Sequence, residues 1–350
     1  MSISTVLLGL ASIFLTTAKA ANLTLSKEYS GSTFFNDWTY IAGTDTNTTG
    51  NVLFQTREQA TDLTYINSDG NAIIKVDNTT SGVGNSTYGR ASIKIMSNDK
   101  VSQGSLVVMD AVHVPYGCSV WPAFWMSGSN WPYDGEIDVF ENVNLASYNR
   151  YTLHTTEGCT HPDNSSSTSI ETGTLITADC NNATNSNEGC VVQDPSTKSY
   201  GSGFANYGGG VFAALWNADG IKTWFFDRSS IPDDIDDSPN PDNWTTPTAF
   251  WPTSSCDVGK YFGDQTLIFD ITLCGNFAGE ATVFAETCSG TCTDLIQDPT
   301  NYNNAYFEVS YVRVFTGDST SSAESRRFSI LDIHAIGIVA LISSLILLLS

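Results

Sequence analysis

An all-β sandwich is the fold class this sequence predicts, and three observations carry the prediction. Short runs of β-branched and aromatic residues, several of them alternating, recur between clusters of Gly, Asn, Asp and Ser. No helical period of any length interrupts them outside the C-terminal tail. At 350 residues, with 41% hydrophobic and 11% aromatic content, the chain can build one sizeable core, and single β-sandwich domains of this size are common. Many short strands without helices imply a sandwich or a jelly roll.

Residues 1–20 open with the apolar run Val6–Leu15 and close on Ala18-Lys19-Ala20, the small-x-small pattern of a signal-peptide cleavage site. The run is too short to span a bilayer. Within residues 21–317 strands are expected at Phe34–Ile41, Ala72–Val76, Ala91–Met96, Leu106–Val114, Glu136–Val143, Tyr151–Thr155, Val211–Trp216, Lys222–Asp227, Leu267–Leu273 and Ala305–Phe315. Between Asp163 and Gly210 the composition shifts to Asn, Ser, Thr and Gly, with Cys180 and Cys190 inside. A disulfide-stapled loop region is expected there, since segments this polar do not fill a core. The stretch Ile231–Pro239 reads as an acidic surface loop, because it lacks the Gly and terminal Glu of an EF-hand. Residues 318–322 form a short Ser/Thr linker. Beyond it, residues 323–350 hold a polar spacer with Arg326 and Arg327 and the terminal apolar tail Ala335–Leu349. This is the pattern of a GPI-anchor signal, with Ser321 or Ser322 as the attachment residue and the remainder removed.

The formal net charge of −22 excludes nucleic acid as a partner, since phosphate binding needs clustered Lys and Arg. Seven Asn-x-Ser/Thr sequons, at Asn22, Asn47, Asn78, Asn85, Asn164, Asn182 and Asn243, fit surface segments of a secreted glycoprotein. The eight cysteines are an even number, expected to form disulfides whose pairing cannot be read from sequence. There is no Cys-x-x-Cys with nearby His, so zinc is not expected, and no metal or other cofactor is assigned. The expected product is a monomer at the cell surface, held to the outer leaflet by its lipid.

Three carboxylates, Glu136, Asp138 and Glu141, sit in one of the expected strands, after the run Trp121-Pro122-Ala123-Phe124-Trp125 and Trp131-Pro132. Carboxylates beside a core cost free energy, so three in one strand need a reason. Glu136 and Asp138 share a face, but Glu141 stands an odd number of residues from Glu136 and would point the other way on a regular strand. A β-bulge around Val139-Phe140 restores the phase. The carboxylates then suit glycosidic chemistry: one Glu attacks the anomeric carbon, the other protonates the leaving oxygen and later activates water. The intervening Asp helps separate their pKa values. Nearby Trp faces offer flat apolar surfaces for sugar rings.

The segments Gly117–Trp125, Asn130-Trp131-Pro132 and Gly135–Asn144 resemble fungal glycoside hydrolase family 16, and within it the endo-1,3(4)-β-glucanases or laminarinases. Glu-x-Asp-x-x-Glu is that family's catalytic signature in its bulged form. Similar blocks follow at Thr152-Leu153-His154-Thr155, Ser199-Tyr200-Gly201, Gly208–Val211, Trp224–Arg228 and Cys274–Gly279, so the resemblance runs from about residue 26 to 316. It implies a concanavalin-like β-jelly roll of two antiparallel sheets with a concave substrate cleft. It also implies net retention, with Glu136 as nucleophile, Glu141 as acid/base and Asp138 assisting. Trp121, Trp125, Trp131, His154 and Phe277 match substrate-cleft positions, and the implied substrate is a β-glucan polysaccharide. Phe277 stands where these enzymes usually have Trp, Leu215 where Glu commonly precedes the Trp, and Asn142 where Gly usually follows the second Glu. None of these departures touches the three carboxylates. A transglycosylase on the same scaffold and a non-catalytic glucan-binding wall protein are the competing readings.

Overall fold

The computed structural model describes residues 23–317 apart from Ser86 and residues 163–169. The expected signal segment, linker and anchor segment, with Ser321 and Ser322, lie outside the described residues, as do the sequons at Asn22 and Asn164.

Two eight-stranded sheets form the sandwich. The back sheet runs Ala249–Pro252, Gly220–Asp227, Gly210–Asn217, Ser105–His113, Tyr306–Gly317, Ala72–Lys75 and Thr64–Ile66, and Leu23–Ser30 also pairs with the long strand Tyr306–Gly317. The front sheet runs Thr174–Leu175, Cys190–Gln193, Arg150–His154, Glu136–Glu141, Val120–Gly128, Gln265–Leu273, Lys94–Val101 and Trp38–Tyr40. All pairings within both sheets are antiparallel. The all-β jelly-roll expectation holds. Alternation explains the layering: Val120, Phe124 and Met126 of one front strand and Leu267, Phe269, Ile271 and Leu273 of the next enter the core between the sheets. A second apolar cluster, with Val108, Val211, Leu215, Trp224 and Phe226, lies on the other face of the back sheet, under Ile231, Ile235 and Trp244.

Local differences from the sequence expectation have physical causes. Phe34–Asp37 is not strand but the end of a 3-10 helix, Gly31–Asp37. The helical step stacks Phe34 on Trp38, ring centroids 5.9 Å apart, and so buries both, which overrides β propensity. The expected strand Ala91–Met96 is divided: Arg90–Ser92 joins a third, three-stranded sheet, in which it pairs parallel to Val52–Phe54. Five α-helices of four to seven residues occur among the described residues, too short to show a period. The polar stretch 163–210 is stapled by Cys180–Cys190, yet it does reach the core. Its strand Cys190–Gln193 lies inside the front sheet, and Tyr200 and Phe204 are fully buried.

All eight cysteines are paired: Cys118–Cys288, Cys159–Cys256, Cys180–Cys190 and Cys274–Cys292. Cys118 leads into the Trp121 strand, and Cys274 ends the strand beside it. Two of the four bridges therefore pin the segment 274–292, which carries Phe277, to one end of the front sheet.

Candidate active site

Residues directly opposite one another in antiparallel strands share a face, so the register states what surrounds each carboxylate. Glu136 lies opposite Ser127 and His154, Asp138 opposite Trp125 and Thr152, and Glu141 opposite Ala123 and Arg150. Between Asp138 and Glu141 the register slips by one residue against both neighbours: Phe124 pairs with Phe140 but Trp125 with Asp138, leaving Val139 extra. This is the bulge the five-residue offset requires. Val139 and Phe140 both enter the core, one after the other, which returns Glu141 to the face of Glu136 and Asp138. Phe140 is boxed by Tyr200, Phe212 and Phe307, at centroid distances of 5.2, 5.4 and 5.6 Å.

The tryptophans do more than offer flat faces. The Trp121 indole donates to Glu141 Oε1 at 2.7 Å, with the small Ala123 opposite Glu141 leaving room for it. Trp131 stands near enough to Glu136 to favour its ionised form and keeps 42% of its surface exposed; Tyr133, two residues on, is exposed as well. Trp125 donates to Asp270 Oδ1 at 3.2 Å, while Lys94 stands 3.2 Å from Asp270 Oδ2 and over the Trp125 ring. Phe277 packs edge-on against Trp121 at 5.4 Å. His154 Nε2 is 3.4 Å from Asp138 Oδ2, and its Nδ1 is 3.2 Å from Asn187 Oδ1. The structure thus brings together all eight residues expected in the site. Of the described sequons, Asn47, Asn85 and Asn243 are exposed, and Asn78 and Asn182 are half-buried.

Burial raises all three carboxyls, and their surroundings separate them. Asp138, 2% exposed, is pushed well above the carboxylate range by desolvation and the neighbouring Glu136 charge, against the opposing pull of the His154 ring 3.4 Å away. Glu141 rises to about 7 through desolvation, tempered by the Trp121 hydrogen bond and the His154 charge. Glu136 is raised by the same desolvation, but His154, the nearby Trp131 indole and Lys94 all favour its ionised form. Burial works against a charged His154, yet Glu136 and Asp138 outweigh it and raise its pKa to about 9. Glu136, Asp138 and His154 place ligand-type atoms within 4.8 Å of one another. At neutral pH the imidazolium itself supplies the positive charge at that point.

Sequence reasoning missed Lys94, Asp270, Asn149 and Arg150, which reach the site only through strand register or chain return. Arg150 lies opposite Glu141 but makes no ion pair with it among the described residues; its guanidinium sits over the Phe277 ring at 5.7 Å, and its buried Nε has no hydrogen-bond partner.

A family model described as the XgeA-like catalytic GH16 domain matches residues 38–315. A probable glycosidase of Schizosaccharomyces pombe is 39% identical over 301 residues, covering 85% of this chain and 70% of its own length. An endo-1,3(4)-beta-glucanase of Arthroderma benhamiae is 33% identical over 308 residues, which are 85% of this chain and 65% of that protein. A probable endo-1,3(4)-beta-glucanase of Aspergillus fumigatus is 38% identical over 83% of this chain, which spans only 45% of that relative. Among solved structures, Laminarinase 16A of Phanerochaete chrysosporium, holding β-glucans in donor and acceptor sites, superposes with a TM-score of 0.79 at 37% identity. That match covers 85% of this chain and all of the other. An elongating β-1,3-glucosyltransferase of GH family 16 superposes with a TM-score of 0.77, also at 37% identity, over 84% of this chain and all of its own.

Proposed function

Because this chain belongs to glycoside hydrolase family 16, we propose that it is a retaining endo-β-glucanase. It would hydrolyse internal 1,3-bonds of β-glucan, or 1,4-bonds where the linkages are mixed. The observation that carries the reading is the bulged strand, which sets Glu136, Asp138 and Glu141 on one face among Trp121, Trp125 and Trp131. Similar proteins named endo-1,3(4)-beta-glucanase support the substrate class.

The division of roles follows from the surroundings. Glu136 is the nucleophile, since His154, Lys94 and the nearby Trp131 indole all sustain its negative charge. Its oxygen bonds to the anomeric carbon as the bond to the bridging oxygen breaks, and Glu141 passes its proton to that oxygen. Water then enters: Glu141 takes its proton, the water oxygen bonds to the anomeric carbon, and Glu136 leaves. Two inversions give net retention. Asp138 stays protonated between the two glutamates and limits the repulsion as charge moves from one to the other.

The test is Glu136→Ala on laminarin, lichenan, xyloglucan and chitin with product sizing. Hydrolysis of a glucan should be lost, and azide should restore turnover as a glycosyl azide of inverted configuration. A variant with wild-type turnover would overturn the reading and favour a non-catalytic wall protein.

The transferase-type neighbour, as identical to this chain as the laminarinase, favours a second reading: the glycosyl group passes to another glucan rather than to water. Chains longer than the oligosaccharide supplied would show it. We also propose that the protein works outside the cell. Four disulfides and no free cysteine among the described residues suit an oxidising compartment.

A further inference from the structure

A bulge leaves a cost in the ladder it interrupts: the extra residue has a carbonyl, and the residue two positions on an N–H, that the neighbouring strand no longer meets. Here those groups are the carbonyl of Val139 and the N–H of Glu141. Neither is left unpaired. The Glu141 N–H donates to Asn149 Oδ1 at 2.9 Å, and Asn149 Nδ2 donates to the Val139 carbonyl at 3.0 Å. One carboxamide thus closes both ends of the gap. Asn149 is 0% exposed, and its own backbone is anchored on both sides. Its N–H donates to Ser199 Oγ at 2.9 Å, and its carbonyl accepts from the Asp194 N–H at 2.9 Å. Ser199 Oγ in turn donates to the Ser196 carbonyl at 2.6 Å. The plug is therefore held by the 194–199 turn, not by the strand it serves.

We propose that Asn149 is a positioning residue for Glu141: its side chain substitutes for the missing ladder bonds and keeps the second glutamate on the same face as the first. The inference rests on the reading of Glu141 as acid/base. Only a group that both accepts and donates at this spot fits the bulge. Without it, the strand relieves two buried unsatisfied groups by slipping toward regular pairing, and a one-residue slip carries Glu141 to the opposite face. Asn149 touches neither sugar nor water in this scheme. It acts through the strand.

The experiment uses the whole protein with two substitutions and two substrates. Asn149→Leu keeps the volume and removes both hydrogen bonds; Asn149→Asp keeps the shape and reproduces both bonds only while its carboxyl is protonated. On laminarin, Asn149→Leu should lose about 10²-fold or more in kcat with KM within about threefold, the scale of removing a general acid. On a dinitrophenyl β-laminaribioside, whose leaving group departs without a proton, the burst of dinitrophenolate should stay within about tenfold of wild type, since Glu136 is undisturbed. Asn149→Asp should approach wild-type laminarin turnover at low pH and fall as its carboxyl ionises, at a pH where the wild type is still active.

Wild-type turnover by Asn149→Leu would overturn the inference, and so would equal losses of the burst and of laminarin hydrolysis at unchanged melting temperature. If Asn149→Leu fails to fold, the pH profile of Asn149→Asp decides alone: a profile parallel to wild type overturns the inference. A wild-type protein inactive on every glucan and on the aryl glycoside would instead overturn the reading of the site itself.

Discussion

Glu141 carries the pH behaviour of the site. Desolvation holds its proton to about pH 7, so the alkaline limb of kcat/KM should fall near that value. The same shift has a stability consequence. The folded protein binds this proton more tightly than the unfolded chain, whose glutamate titrates at about 4.5. Stability contributed by the neutral form is therefore complete below about pH 4.5 and lost as pH rises to about 7. Glu141→Gln should raise the melting temperature at pH 8 by a few degrees, about 1–2 kcal/mol after allowance for its coupling to the neighbouring carboxyls and His154, and leave it unchanged at pH 4. Calorimetry at the two pH values checks this. Arg150 supplies a second residue-level expectation. Its buried Nε has no hydrogen-bond partner among the described residues, and its guanidinium lies over the Phe277 ring from a position opposite Glu141 in the ladder. A glucan passing Glu141 would meet it, so Arg150→Met should raise KM for laminarin about tenfold while kcat changes little, the signature of lost uniform binding.

At the scale of elements, the site depends on how rigidly two pieces are held: the bulged strand and the segment carrying Phe277. The strand is fixed from below by the aromatic box around Phe140. The segment 274–292 is fixed by Cys118–Cys288 and Cys274–Cys292, and Asn144 Nδ2 adds a hydrogen bond to the Ala278 carbonyl at 3.1 Å. The Cys118–Cys288 bridge closes a separation of 170 residues, for which chain entropy alone gives about 5 kcal/mol. Replacing both cysteines by Ser should lower the melting temperature by about 10 °C. It should also raise KM more than it lowers kcat, because Phe277 and Trp121 lose their fixed contact while the carboxylates keep theirs. Thermal melts and steady-state kinetics on one preparation test both halves.

At the scale of the whole molecule, the two sheets have different tasks. The back sheet packs the 231–244 segment on the apolar cluster of its outer face. The front sheet buries one face in the core and offers the other, lined with carboxylates and indoles, to the glycan. The proposed placement at the cell surface rests on the ends of the chain: the small-x-small site at Ala18–Ala20 and the Ser321-Ser322, spacer and apolar-tail pattern. A phosphatidylinositol-specific phospholipase should release the intact protein from membranes. Retention in the membrane after that treatment would count against a GPI anchor.

Much of this was legible in the sequence because it is local. Period-two alternation marked most strands, residue chemistry marked Glu136, Asp138 and Glu141, and their odd spacing demanded a bulge at Val139-Phe140 before any partner strand was known. Backbone geometry over six residues is enough for that. What tertiary structure alone decided is what stands opposite what. Register and chain return are non-local, so no spacing could place His154 against Asp138, the Trp121 indole on Glu141 or Arg150 beside Phe277. The same holds for the disulfide partners, and for Tyr200, a core residue drawn from a stretch too polar to suggest one. Asn149 is the plainest case: in sequence it is one more Asn in an Asn-rich chain, and only the folded ladder shows that two backbone groups need it.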